Sequence, residues 1–193
     1  MAETEVVFAA TVEGLFKRAL GGKLSPSAVE QIRRHGIDLG QPLQPAYPRE
    51  AFYASLRIAA GDVYKNLPSE DAFRQLGLDF MRGWEETLMG RALLGVIRLL
   101  GPKRTLERMR HNFHSANNYM EARLNQRGPD DYELVLSQTS GVPTYFQGVL
   151  QFGLNTAGAQ HLRVEVAGQE GSAATYRIRW GQATTAQPPA PAA

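Results

Sequence analysis

From Met120 onward the apolar side chains recur at every second residue, and a single helix interrupts that rhythm. Met120, Ala122 and Leu124 alternate with Glu121, Arg123 and Asn125, and Tyr132, Leu134 and Leu136 alternate with Glu133, Val135 and Ser137. Period-two spacing places alternate side chains on opposite faces of a strand. The intervening "RGPDD" is turn chemistry, so the two runs read as a hairpin. A second hairpin follows after residue 160: Leu162, Val164 and Val166 face one way in "HLRVEV", and Tyr176, Ile178 and Trp180 face one way in "TYRIRW". Between the hairpins, "GVPTYFQGVLQFGLNTAG" (141–158) spaces its apolar residues three and four apart, as a helix does. The C-terminal half is therefore expected to run β-β-α-β-β.

The N-terminal half has helical spacing. "VVFAATVEGLF" is a short β-favouring run leading into a helix. "SPSAVEQIRRHGID" has Ser25 as cap, Pro26 in the first turn, and Gly36 just past the basic end. "GQPLQPAYP" reads as a proline-rich connector, after which a helix spans about 49–64. Ser69 is expected to cap the next helix, whose stripe is Phe73, Leu76, Gly77, Phe80, Met81 and Trp84. An apolar helix over about 86–100 stops at Gly101–Pro102, and another follows over about 103–114. Helices segregated from antiparallel strands make the fold class α+β. The expected architecture is an N-terminal helical layer packed on a four-stranded antiparallel sheet, within one domain over 1–181. The Ala/Pro-rich end, 182–193, has nothing to bury and is expected to be disordered.

The helix between the hairpins carries Gly148 and Gly153. Phe146, Val149, Leu150, Gly153, Leu154 and Ala157 share one face, with Gln147, Gln151 and Asn155 opposite. A glycine inside a helix costs about 1 kcal/mol against alanine. The compensation expected at Gly153 is the close approach of another backbone. Gly148 lies on the flank, where a neighbouring chain could pack. The alternatives are simple packing on the sheet, a dimer contact, or a floor left open for a ligand.

Composition closes several routes. The chain has 193 residues, 43% of them hydrophobic, and no cysteine. A chain this long buries roughly 70% of its unfolded surface. Without cysteine there is no disulfide, thiolate metal site, catalytic thiol or S-acyl anchor. A net charge of +2 does not by itself point to nucleic acid. "LMGRALLGVIRLLG" (88–101) is the longest apolar block, but it contains Arg91 and Arg98 and is shorter than the ~20 residues of a membrane span. Cytoplasm is the expected compartment, with no membrane partner.

The hairpin, "VPTYFQGVLQFGLNTAGAQHLRVEV" and "TYRIRW" resemble the closing half of a superfamily of heme–nitric-oxide sensor domains, 4-vinyl-reductase-type domains and TRAPP vesicle-tethering subunits. In these a helix with a φ-x-G-φ-φ pattern (φ, hydrophobic), here Phe146–Leu150, precedes two terminal strands. Nearly the whole chain resembles a paralogous family of unknown function found in myxobacteria. That resemblance rests on "VEGLFKRAL", "GIDLGQPLQPAYP", "AFRQLGLDFMRGWEETLMGRALLGVIRLLGPKRTLERM", "GVPTYFQGVLQFGL" and "YRIRW". The superfamily resemblance implies ligand sensing or protein assembly. Heme sensors hold the propionates with a Tyr-x-Ser-x-Arg motif, where this chain reads "VLSQTSGVP". His114 stands near the expected place of a heme ligand, but without the propionate clamp the reading disfavours heme. The cysteine chemistry of the other two groups does not transfer.

The remaining constellations are sparse. His111 and His114 lie three apart but have no third ligand in a metal motif. Adjacent Glu85 and Glu86 diverge on a helix and cannot share a substrate. No phosphate-cradling loop or nucleophile elbow is present. Catalytic and metal sites are therefore expected to be absent, and no cofactor is implied. "PKRTLERMR" gathers Lys103, Arg104, Arg108 and Arg110; with His114 these form a candidate interaction surface. Nucleic acid is not the expected partner, because Tyr176 and Trp180 point inward instead of offering a stacking platform. Two functions are left open. One is a non-catalytic regulatory or scaffolding module, acting through an unknown protein partner or as a homodimer. The other is a small-molecule sensor with an apolar pocket lined by Phe80, Trp84 and Phe146.

Overall fold

A computed structural model describes residues 4–181; the tail expected to be disordered, 182–193, lies outside the described residues. Strand β1 (Val6–Phe8) runs into α1 (Ala9–Val12), which continues as a π-helix over Glu13–Ala19. Helix α2 (Pro26–Arg34) begins at the expected cap: Ser25 Oγ accepts from the Ala28 N–H at 3.2 Å. The same hydroxyl donates to Asp62 at 2.7 Å, which ties α2 to α3 (Arg49–Val63). The proline-rich stretch that reads as a connector also supplies β2 (Ala46–Pro48), antiparallel to β1. Its strand character comes from that partner, not from any alternation of its own.

Helix α4 spans Ser69–Glu85. Ser69 does not cap it. Pro68 holds the cap position and offers no side-chain bond, while Glu70 and Asp71 in the first turn face the positive end of the helix dipole. Helix α5 (Leu88–Glu107) starts at Thr87, whose Oγ1 accepts from the Gly90 N–H at 3.0 Å. At Gly101 the backbone leaves helical geometry (φ 76°, ψ 169°), so 88–100 and 102–107 form two rods meeting at the expected Gly101–Pro102 break. Helix α6 is Met109–His114.

The C-terminal half follows the alternation. Strands β3 (Ala122–Gly128), β4 (Asp131–Leu136), β5 (Arg163–Glu170) and β6 (Ala173–Arg179) form a four-stranded antiparallel sheet in the order β3-β4-β6-β5. Pairing Leu134 with Tyr176 and Val164 with Ile178 keeps the apolar faces in register. Helix α7 (Pro143–Thr156) lies between α4 and β5, so it joins the helical layer to the sheet. Gln147, on the polar side of the helical wheel, donates to the Val164 carbonyl at 2.7 Å. A continuous buried cluster runs from Val7 to Ile178. Trp180 is half-buried at the sheet margin and stacks on Tyr132, with ring centroids 5.0 Å apart and planes 5° apart.

The two glycines of α7 exchange the roles expected of them. A Cβ at Gly148 would stand 2.2 Å from the Arg74 carbonyl oxygen and 3.1 Å from Gly77 Cα, so the close approach is at Gly148, and it is to α4 of the same chain. At Gly153 no heavy atom lies within 4 Å of a built Cβ. Helical spacing puts both residues on faces that could be covered, but only packing decides which one is.

Candidate functional site

The open side of Gly153 is part of a cavity of ≈ 70 Å³ between α4, α5, α6 and α7. Phe80, Met81 and Trp84 line it from one face of α4, as their spacing places them. Leu93 and Ile97 line it from the first rod of α5, and the break at Gly101 brings Thr105 back to it from the second. Met109, Asn112 and Phe113 of α6 and Val149, Leu150 and Gly153 of α7 complete the wall. A smaller cavity of ≈ 30 Å³ shares Phe80, Phe113, Ala116 and Val149 with the first and adds Tyr53, Tyr119, Tyr145 and Phe146. Of the residues expected to line a pocket, Phe80 touches both cavities, Trp84 the larger and Phe146 the smaller. Gly153 is the floor left open that its place in α7 allows, whereas Thr105 and Asn112 are not among the residues the sequence offers for a pocket. For Thr105 and Asn112 no periodic signal marks them, because the break in α5 and the short α6 turn them inward.

Ala116 connects the cavity wall to the start of the chain. Its carbonyl accepts from the Phe8 N–H at 2.9 Å and from the Thr11 hydroxyl at 3.2 Å. Nearby, Asn118 Oδ1 accepts from the Val6 N–H at 2.8 Å. The tyrosines at the smaller cavity are held neutral. Burial pushes the phenols of Tyr53 and Tyr145 well above the ordinary range, and Tyr119 up to about 12. The Tyr119 hydroxyl donates to the Tyr53 hydroxyl at 3.2 Å.

The basic residues lie outside the cavity lining, and all four are exposed. Arg104 and Arg108 are exposed on the outer side of the second rod of α5 and its end. Arg110 pairs with Glu121 at 2.8 Å, and His114 lies 3.5 Å from the same carboxylate. Glu85 pairs with Arg98 while Glu86 is exposed, so these two carboxylates diverge as expected. His35, His111, His114 and His161 are all exposed, and none lines the cavity. Among the described residues no group of three or more His, Cys, Asp or Glu is placed to hold a metal. No helix among them is long and apolar enough to cross a membrane. A wider cleft of ≈ 550 Å³ at the α3–α4 turn, lined by Arg57, Tyr64, Lys65 and Ser69, is open to solvent and assembles no reactive set.

This layout of helices, inter-hairpin helix and sheet is that of the H-NOX fold. The Fe(II) unliganded H-NOX protein from K. algicida superposes with a TM-score of 0.63 at 11% identity, over 92% of this chain and 98% of that one. An oxygen-binding H-NOX domain related to soluble guanylate cyclases, solved as its oxygen complex, gives 0.60 at 13% identity, over 90% and 92%. The H-NOX structure from a study of activation gives 0.65 at 13% identity, over 91% and 97%. Identities this low establish the fold alone. No curated protein matches the chain by sequence. The chain belongs to the family described as "Protein of unknown function (DUF2378)", whose model matches residues 5–181.

Proposed function

We propose that this chain is a non-catalytic sensor domain that takes a small, largely apolar molecule into the cavity between α4, α5, α6 and α7. The observation that carries the reading is Gly153: a helix gives up about 1 kcal/mol of propensity at a position where no neighbour requires the missing side chain. The omitted methyl leaves room inside an otherwise apolar wall. The H-NOX-like fold supports the same reading. The Ala116 carbonyl gives a ligand-dependent shift of that wall a direct route to β1 and α1.

The residues present do not favour a heme: no histidine lines the wall, and the side chain near the expected ligand position, His114, is exposed beside Glu121.

Xenon is the direct probe, since dry apolar cavities bind it. At ten times Kd a ligand stabilises the native state by about 1.4 kcal/mol, or about 3–6 °C in Tm for a chain this size. Gly153→Leu, which fills the space, is expected to abolish the rise. No rise with the native chain, or the same rise with Gly153→Leu, would overturn the reading.

A second reading, regulation through protein contact, is favoured by the outer face of α5. Leu88 and Leu99 are 82% and 88% exposed, and Met89 and Val96 are also exposed. With Ala92 and Gly95 between them, large residues flank a small centre, a pattern that is self-complementary when a second copy lies antiparallel across a two-fold axis. Leu88→Glu with Leu99→Glu is expected to convert a dimer to a monomer in sedimentation. A native chain that sediments as a monomer at all concentrations would count against it.

A further inference from the structure

Two residues of the cavity wall each carry a buried polar atom with no hydrogen-bond partner: the Trp84 indole Nε1 and the Thr105 hydroxyl Oγ1. Trp84 is 4% exposed and Thr105 1%. Buried polar atoms are paired in the great majority of cases, and each one left unpaired is a standing penalty. Two such atoms, from elements that meet only in the tertiary fold, belong to residues in the wall of one cavity. Thr105 anchors part of the wall in another way, since its carbonyl accepts from Asn112 Nδ2 at 3.3 Å, but its hydroxyl has no such bond.

We infer that the site selects small apolar molecules bearing an oxygen, an alcohol or ketone, whose oxygen pairs with the Trp84 N–H and the Thr105 hydroxyl. This rests on the cavity being a ligand site, and it adds the chemical class. The indole N–H only donates, so the ligand atom that meets it must be an acceptor; the hydroxyl both donates and accepts. Apart from Asn112, whose Nδ2 donates to the Thr105 carbonyl, the rest of the wall is aliphatic and aromatic, so the remainder of the molecule must be apolar and compact. Neither protein atom is open to water as the chain stands, so entry of the ligand goes with a small shift of the wall. A charged ligand is excluded, because no charged side chain lines the cavity to pair with it.

The test compares two molecules of the same shape, 2-propanol and isobutane, with xenon as a control, on the full chain and on Thr105→Val. Valine keeps the shape of threonine and removes an unpaired hydroxyl, so the variant is expected to fold. The readout is the indole N–H resonance of Trp84, distinguished from that of Trp180 with Trp180→Phe. 2-Propanol is expected to move the Trp84 resonance downfield, and isobutane is not. Thr105→Val is expected to weaken 2-propanol binding about fivefold to tenfold, the equivalent of one hydrogen bond, and to leave isobutane and xenon unchanged. If xenon and isobutane bind but 2-propanol leaves the resonance in place, or binds equally well to Thr105→Val, the inference is overturned while the cavity reading stands. If none of the three binds, both are overturned.

Discussion

Gly148 and Gly77 stand against each other where α7 packs on α4: a Cβ at Gly148 would come within 3.1 Å of Gly77 Cα, and one at Gly77 would stand 2.0 Å from the Tyr145 carbonyl oxygen. The two helices meet backbone to backbone, and α7 in turn carries β5 of the sheet. This contact therefore sets how closely the helical layer seats on the strands.

The two glycines of α7 should respond to alanine with opposite signs. Gly148→Ala forces a backbone shift in α4, which costs about 1–3 kcal/mol and outweighs the propensity gained. Gly153→Ala meets no atom and gains up to about 1 kcal/mol of helix propensity. Urea unfolding of both variants checks this; equal signs would refute the assignment of the two roles.

Asp79 is buried on α4 and accepts from the Tyr64 hydroxyl, from Arg82 at 2.9 Å and from Gln75 at 3.3 Å. Burial, and then the carboxylate, raise the Tyr64 phenol above its ordinary value. Asp79→Ala is expected to lower stability by about 1–3 kcal/mol and to bring the Tyr64 titration back toward lower pH. Ultraviolet difference absorbance of tyrosinate reports the second effect.

Stability should fall on the alkaline side. Tyr53, Tyr119, Tyr145 and Tyr176 all have phenols raised by burial, Tyr119 to about 12 from an ordinary 10.0. A group whose native value is raised binds its proton more tightly when folded. Its contribution is complete below pH 10 and is lost as the pH climbs toward 12. Denaturant midpoints measured across that window should drop, and Tyr119→Phe should make the drop shallower.

Hemin added to the purified chain should give no histidine-ligated absorption spectrum, and His114→Ala should change nothing in the spectrum. A ligated spectrum lost in His114→Ala would overturn the reading against heme. Because His114 and Arg110 share Glu121 at the surface, Glu121→Gln should shift stability by no more than about 1 kcal/mol.

Local pattern determined a good deal of this molecule. Alternation between Met120 and Ile178 dictated two hairpins around one helix, because a one-residue slip would turn Leu134 or Tyr176 out of the core. Capping at Ser25 and the stop at Gly101 were legible because those signals act within a few residues. The cap of α4 was not: Pro68, not Ser69, precedes the first helical residue, and the acids beyond it suffice. Strand β2 was missed because only its pairing with β1 makes it a strand.

What the tertiary structure alone decided is which buried positions are filled and which are left open. A helical wheel shows that Gly148 and Gly153 lie on different sides of α7; it cannot show that α4 presses on one and a cavity opens at the other. Likewise Trp84 and Thr105 are separated by the whole first rod of α5, and nothing local joins them. They share a cavity because the chain bends at Gly101, and their unpaired polar atoms can be recognised only once every neighbour is in place. Periodicity follows from the geometry of one element, whereas vacant space and missing partners are properties of several elements packed together.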